Sequence, residues 1–451
     1  MILKLHFDNY KSFNGGSTLS AIATPASAES SHAVAVQDIP VLKNLAVFGP
    51  NSSGKTNLVS ALSFLQRLLE KQEGFWDSRR LGSYCRLHKE NAKRETHFTI
   101  HFSVEATIFA YEISLCISEA KLTEEKLWMR KSSKEDFLEL FARESDGTIA
   151  LGAYLMKHVG SIGKNKLKVY QADYLKNKNV PFLAFLSKNR NHDGSPLLED
   201  IQNAYEYLTR KIVLVSPDET LGTPRWQIQD GQISDVDGIL GCFDLGISQI
   251  KVKEVGKQEV LEHLPEEILD EFIGIMMDMR KRPDCPPVLK ATCSSRTQFV
   301  FLEMAEDCSI AYKMIKLEHN LSDSLYDYEE ESDGTRRIFQ LLNMLLDNNS
   351  DKVYVVDELD RSLHSSLVAA FVKKFHDSTK DCCKQFIFTT HDIHLLDDRD
   401  LLMHDEIYFV DKDGRNSSQI CSLADFRAEK IPSISKAYMQ GRFGAIPTID
   451  C

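Results

Sequence analysis

At 451 residues the chain has room for two or three domain-sized units around a large core, and its 43% hydrophobic and 27% charged residues exclude a disordered or fibrous protein. A formal net charge of -12 argues against a surface built to coat nucleic acid, although a local basic groove is compatible with it. No apolar run reaches the length of a membrane span, and ten cysteines without a Cys-x-x-Cys pair read as free or buried thiols in a reducing cytoplasm rather than as a metal or disulfide site.

The opening residues Met1 to Phe7 lack the basic region and long apolar core of a signal peptide. Leu3, Leu5 and Phe7 alternate with polar residues, which predicts a strand, followed by the polar turn Asn9-Tyr10-Lys11-Ser12-Phe13. Residues 14–40, rich in Gly, Ser, Ala and Thr, read as a loop. Leu45 to Phe48 form a short buried strand leading into Gly49-Pro50-Asn51-Ser52-Ser53-Gly54-Lys55-Thr56, which is G-x-x-x-x-G-K-[ST], the phosphate-binding P-loop. Beyond it, Leu58, Val59, Leu62, Leu65 and Leu69 recur at helical spacing, so a helix opens at Thr56 and runs to about Lys71. The glycines let backbone N–H groups curl round phosphate oxygens at a helix N-terminus. Lys55 would reach the β- and γ-phosphates, Thr56 would hold Mg²⁺, and Asn57 belongs to the same binding turn.

From Thr96 to Leu127 the apolar period changes to two, as in Phe98 to Phe102 and Phe109 to Leu115, which is an antiparallel meander. Phe137 to Phe141 continue it, and Ser145-Asp146-Gly147-Thr148 is a turn. Between about 150 and 290 helical patterns dominate: Pro181 to Leu186, Leu197 to Leu208, and Pro265 to about Arg280. Ile212 to Pro217 is a buried-strand candidate ended by proline. No long heptad run predicts a coiled-coil arm.

After about residue 298 strand patterns return, at Phe299 to Leu302 and Ala311 to Ile315, then a helix from Thr335, the strand Val353 to Val356, a helix from Leu363 and the strand Phe386 to Thr390. This β/α alternation predicts one sheet shared with the P-loop strand. Val353 to Val356 deliver Asp357 to the Mg²⁺ shell and place Glu358 as general base on the attacking water. His391, at the carboxyl end of the next strand, can reach and sense a γ-phosphate. Ser332-Asp333-Gly334-Thr335 open the preceding helix, with Ser332 or Asp333 as N-cap, and form a second anion site.

The set Gly49 to Thr56, Ser332 to Thr335, Asp357-Glu358, Leu359-Asp360 and His391 resembles the ABC-type ATPase heads of SMC, Rad50 and RecF proteins, in the order Walker A, signature, Walker B, D-loop and H-switch. The start, with Asn9 to Phe13, looks like the start of those heads. The chain further resembles the bacterial AAA15/AAA21-type ATPases, including the AbiL, RloA and PARIS ATPase subunits of anti-phage systems. That likeness lies in the short P-loop head, the Phe98 to Leu115 meander, Glu125-Lys126-Leu127, Leu363-His364 and the ending Tyr438 to Pro447. The signature departs from L-S-G-G-Q, and Tyr84 to His88, where a Q-loop glutamine belongs, contains none.

The resemblance implies an α/β fold: a P-loop ABC-type ATPase head with an antiparallel β meander and a mainly helical middle insertion. Its parts would be an N-terminal lobe over 1–145, the insertion over 146–295 and a C-terminal lobe over 296–451. It implies ATP and Mg²⁺ as cofactors, with Lys55, Glu358 and His391 catalytic, and residues 49–57 with Ser332, Gly334 and Thr335 binding nucleotide. Two copies would sandwich two ATPs, Lys55 of one facing Ser332 and Gly334 of the other, or assemble further. Family members of this kind act as slow ATPase switches beside a separate effector, often a Toprim nuclease, with a phage-encoded trigger. Fewer than a hundred residues follow His391, too few for a fused nuclease of that type. The alternative is a DNA-binding repair ATPase of RecF or Rad50 type, against which the acidic balance and missing coiled coil weigh. A transporter subunit fits the meander and helical middle poorly. The basic pairs Arg79-Arg80 and Arg336-Arg337 could meet nucleic acid or a partner.

Overall fold

The computed structural model describes residues 1–71, 74–175, 179–188, 195–217, 228–229, 232–233, 236–295, 298–320, 322, 324–347, 349–426, 428 and 431–444. The chain separates into two compact units, each gathered from distant stretches of sequence. The first comprises Met1–Leu214, Asn349–Leu359 and Thr379–Cys451, and the second Val215–Asn348 and Asp360–Ser378.

Among the described residues the first unit holds two large sheets and a two-stranded one. One is antiparallel and seven-stranded, in the order Ile149–Leu151, Leu138–Arg143, Lys121–Arg130, Thr107–Cys116, Thr96–Val104, Ile2–Asp8 and Ser17–Ser20. It contains the predicted meander, and the alternating Phe98, Ile100 and Phe102 point into the core. The other is six-stranded, in the order Ile212–Val215, Val353–Val356, Gln385–Thr390, Asn44–Phe48, Ile407–Lys412 and Ser418–Ser422. Its strands Val353–Val356, Gln385–Thr390 and Asn44–Phe48 run parallel and are buried throughout, because both faces are covered. The helix Lys55–Lys71 buries Leu58, Val59, Leu62, Leu65 and Leu69, the five positions that its spacing picks out.

Residues 14–40 are not simply a loop. They include Ser17–Ser20, which pairs with the first strand, and the hairpin Ala33–Val36 with Ile39–Leu42. Strands of four residues show too little alternation to stand out in a Gly/Ser/Ala/Thr-rich stretch. Glu125 ties the meander to the helical stretch. Its buried carboxylate accepts the Phe182 and Leu183 amides at 2.5 and 2.9 Å, capping the helix Phe182–Lys188, and accepts the Tyr111 hydroxyl at 3.0 Å.

The second unit contains its own antiparallel sheet, ordered Ile228–Gln229, Gln232–Ile233, Ile247–Val255, Ile310–His319, Phe299–Met304 and Leu289–Ser294, with Leu325–Asp327 pairing on Ile310–His319. The expectation that all late strands join the P-loop strand therefore holds for Val353–Val356 and Gln385–Thr390 and fails for Phe299–Met304 and Ile310–His319. Apolar patterning fixes which face is buried and leaves the pairing partner open. The helix Glu266–Arg280 packs Leu269 and Met276 into this unit's core. The helices Asp333–Leu346 and Ser365–Ser378 complete the unit. Among the described residues no helix is long and apolar enough to cross a membrane, and the cysteines are free thiols.

Candidate functional site

Three parallel strands bring the motifs of the first unit to one edge. Thr390 pairs with Phe48, and Phe388 with Val356. The P-loop, Asp357-Glu358 and His391 consequently leave the sheet side by side at its carboxyl end, where parallel α/β sheets bind ligands. His391 follows Thr390 and is exposed beside the start of the loop.

The loop is built as its sequence predicts. Gly49 and Gly54 have φ of +156° and +120°, and Ser52 adopts the left-handed region at +64°. A Cβ on Gly49 would collide with the Val410 carbonyl oxygen, and one on Gly54 would meet Ser418 Oγ at 2.5 Å and Ser12 Oγ at 2.9 Å. Lys55 is buried, and its ammonium donates to the carbonyl oxygens of Gly49 at 2.7 Å and Pro50 at 3.0 Å. Thr56 is exposed at the first turn of the helix, whose leading amides have no carbonyl to reach within the helix. The Ser53 hydroxyl is buried without a hydrogen-bond partner among the described residues. An orphaned hydroxyl, two positive-φ glycines and a helix N-terminus beside a buried ammonium fit a polyphosphate.

Two pieces of chain that the motif does not include clamp the loop. Ser12 Oγ accepts from Asn57 Nδ2 at 2.8 Å, and Ser418 Oγ lies 2.8 Å from Ser12 Oγ and 2.5 Å from the Ser53 carbonyl oxygen. The Asn9 to Phe13 turn, with Asn9 and Lys11 at φ 54° and 48°, is fixed by aromatic packing. Tyr10 lies 5.5 Å from Phe64 of the P-loop helix and 5.4 Å from Phe98 of the meander, and its hydroxyl donates to the Ser60 carbonyl. Tyr84 and Cys85 pair with Tyr10 and Asn9, so the stretch lacking a Q-loop glutamine braces this turn.

The turn also carries Lys11 toward the acidic site. Burial lowers the Lys11 pKa from its usual value, and the Asp357 carboxylate acts the other way, so the two charges lie within electrostatic reach. Asp357 is buried, and its Oδ1 accepts the Thr389 hydroxyl at 2.6 Å. The same Thr389 oxygen accepts the Glu358 amide at 2.8 Å. Glu358 sits at φ 49°, a left-handed conformation unusual outside glycine. The Leu359 amide donates to the Thr389 carbonyl at 2.9 Å. Thr389 therefore orients the Asp357 carboxylate and holds the backbone of Glu358. Next to His391, Asp392 is buried, its Oδ1 accepts the His394 amide at 3.1 Å, and its Oδ2 has no partner among the described residues.

Sequence reasoning gave no role to Lys11, Ser12, Thr389, Asp392 or Ser418. Lys11 and Ser12 stand in the marked turn and Thr389 and Asp392 in the marked stretch Thr389-Thr390-His391-Asp392, while Ser418 stands in none. A Thr inside an apolar strand and a Ser at the start of another carry no motif.

The signature residues lie in the second unit. Ser332 is the N-cap of Asp333–Leu346: its Oγ accepts the Thr335 amide at 3.1 Å and lies 2.9 Å from Thr335 Oγ1. Gly334 approaches the Ser362 carbonyl so closely that a Cβ would stand 2.7 Å from it. Ser362 itself has φ 62°. An open pocket of about 210 Å³ adjoins the helix start, lined by Pro217, Asp333, Arg336, Arg337, Gln340, Arg361 and Ser362. Asp333 pairs with Arg336 at 2.6 Å. Arg336, Arg337 and Arg361 give this pocket a mainly positive lining. Of the other basic pair, Arg80 is tied to Asp77 at 2.9 Å and donates to the Phe75 carbonyl, a structural role.

A family described as "AAA domain, putative AbiEii toxin, Type IV TA system" matches residues 45–151 and 255–397, more than half of the chain. The chain belongs to this AAA family. It is accordingly a P-loop ATPase of the AAA type. The matched stretches span the P-loop and meander on one side, and the signature, Asp357-Glu358 and His391 on the other. None of the curated proteins matches the chain. Among solved structures it is similar to an SMC head bound to the C-terminal winged-helix domain of ScpA, with 12% identity, TM-score 0.40, and coverage of 97% of this chain and 99% of that one. It is also similar to the SMC head domain from Thermotoga maritima, at 11% identity, TM-score 0.33, and coverage of 93% and 98%. A third is the Smc head with an extended coiled coil bound to the C-terminal domain of ScpA derived from Pyrococcus furiosus, at 12%, 0.39, and 98% of each. All three are distant likenesses.

The stretch Tyr438 to Pro447 is partly described. Tyr438 and Phe443 stack on Phe409, at 5.3 and 5.2 Å between ring centroids, while Ala445, Ile446 and Pro447 lie outside the described residues.

Proposed function

We propose that this chain binds and slowly hydrolyses ATP, that two or more copies assemble on ATP, and that the assembled state controls a separate effector in anti-phage defence. The observation that carries the catalytic part is Thr389, which holds Asp357 and a left-handed Glu358 at the carboxyl edge of the sheet that also launches the P-loop.

Bound Mg·ATP would supply the scissile phosphoanhydride and the cation that neutralises it. Lys55 exchanges the Gly49 and Pro50 carbonyls for β- and γ-phosphate oxygens, while Ser53 and the amides of residues 51–57 take the remaining oxygens. Thr56 and Asp357 hold the metal. Glu358 accepts the proton of the attacking water, and His391, beside the start of the loop, senses the γ-phosphate. Lys11 brings a second cation to the acidic side. Ser332, Gly334 and Thr335 of another copy complete the site, so closure of two copies is itself the signal.

The family's description, which names a toxin of a type IV toxin–antitoxin system, supports a defence role, and the effector is expected to be a companion nuclease answering to a phage-encoded trigger. The test is the native mass of tagged Glu358→Gln, expressed with its neighbouring genes, with and without ATP. An ATP-dependent dimer or larger complex carrying a second polypeptide is the expected result. A lone protein that gains mass only on adding DNA would overturn the effector reading.

A further inference from the structure

Two helices hold apolar side chains in water at the spacing of a helix–helix seam. On Glu266–Arg280, Leu269 and Met276 face the core of the second unit. Beside that face Ile268, Phe272, Ile275 and Met279 recur at intervals of four, three and four residues, with Phe272 half-buried against the same core and Ile268, Ile275 and Met279 exposed by 41, 52 and 40%. This is the a/d spacing of a coiled-coil stripe. Glu267, Glu271 and Asp278, also exposed, run along its outer edge.

On Ser161–Tyr174 of the first unit, Gly163, Leu167 and Tyr174 are buried. The opposite face carries Ile162, Asn165, Val169 and Ala172, at intervals of three, four and three, with Ile162 and Val169 exposed by 62 and 56%. Lys166 and Lys168 flank it on either side. The seams run from Ile268 to Met279 and from Ile162 to Ala172, so they are of similar length, about 15–17 Å.

A core-facing helix needs one apolar stripe, and each of these has two. The second stripes agree in spacing and length and are opposite in the charge of their borders, acidic on one and lysine-bordered on the other. We propose that Glu266–Arg280 of one copy docks on Ser161–Tyr174 of a second copy, giving a self-association surface that requires no nucleotide. The match is heterologous, so each copy offers one acidic and one basic seam and the contact can be made twice per copy. Asn165, at a seam position, would fix the register at some expense of affinity. A two-helix contact is smaller than a standard stable interface, so association is expected at roughly tens of micromolar.

Sedimentation of the full chain in EDTA without nucleotide tests this. Mass should rise with concentration from the 51.2 kDa monomer to a dimer or larger multiple, and 0.5 M salt should weaken the association, because the flanking Lys168, Glu267, Glu271 and Asp278 are exposed. Lys166→Glu with Lys168→Glu should weaken it by about tenfold or more, as should Glu271→Lys with Asp278→Lys. All four substitutions in one chain should restore it, an outcome that misfolded variants could not give. A chain that stays monomeric at every concentration overturns the proposal and leaves the seams to a different polypeptide. Association that ignores both charge reversals, or that the combined variant does not recover, overturns it too.

Discussion

Replacing Thr389 by Val keeps the shape of the side chain and removes one oxygen. That oxygen accepts the Glu358 amide at 2.8 Å and donates to Asp357 Oδ1 at 2.6 Å. The first bond is amide to hydroxyl and contributes about 0.5–1.5 kcal/mol, whereas the second ends on a buried carboxylate and contributes about 1.5–3 kcal/mol. About 2–4 kcal/mol of positioning is lost, and the φ of 49° at Glu358 loses one of the contacts that enforce it. If that loss falls mainly on the transition state, turnover drops about 30- to 1000-fold. Thr389→Ser retains the hydroxyl and should recover most of the activity. The assay is phosphate release at saturating Mg·ATP, with calorimetric titration of ATP at several Mg²⁺ concentrations. Parent-like turnover and parent-like Mg²⁺ dependence in Thr389→Val would refute the claim that this hydroxyl organises the acidic pair.

Lys55→Ala should abolish ATP binding in a fluorescent-nucleotide titration, because no other buried ammonium faces the Gly49 and Pro50 carbonyls among the described residues. Gly334→Ala should leave ATP binding by the single copy intact and remove ATP-dependent gain of mass, since its Cβ would stand 2.7 Å from the Ser362 carbonyl and displace the start of the signature helix. Burial raises the Glu125 pKa from 4.5 to about 7 against the Leu183, Phe182 and Tyr111 donors that favour its ionised form. The folded chain thus retains a proton that the unfolded chain releases above about pH 4.5, and the stability linked to this group is lost as pH rises from 4.5 through 7. Glu125→Gln should unfold earlier, by about 1–3 kcal/mol for the helix amide left unsatisfied, and its unfolding midpoint should no longer fall across that window.

The P-loop, the acidic pair and the His391 strand were legible because each joins a fixed residue pattern to an element whose periodicity is visible. Gly49 and Gly54 are required by backbone conformation, and that requirement is written in the residue type. Thr389 and Ser418 are different: their roles come from register, Thr389 beside Asp357 and Ser418 beside Ser53, and register between distant strands leaves no mark in either strand alone. The same limit explains why Phe299–Met304 and Ile310–His319 were expected in the P-loop sheet. Their alternation specifies a half-buried strand and nothing about its neighbour. The arginine-lined pocket near Ser332 was half visible in Arg336-Arg337, while Arg361 entered it only through the fold.

The clamp on the P-loop has a consequence for how the protein is made. Ser418 reaches the Ser53 carbonyl across 365 residues of chain, and the neighbouring strand Ile407–Lys412 supplies the Val410 carbonyl that closes over Gly49. During synthesis at about 5–20 residues per second, roughly 20 to 70 s separate the emergence of the loop from that of its clamp. Over that interval the growing polypeptide carries the nucleotide motif without the walls that shape it. Competence to bind ATP is thereby deferred until Val410 and Ser418 have emerged, and a copy terminated before them is expected to stay out of the proposed assembly.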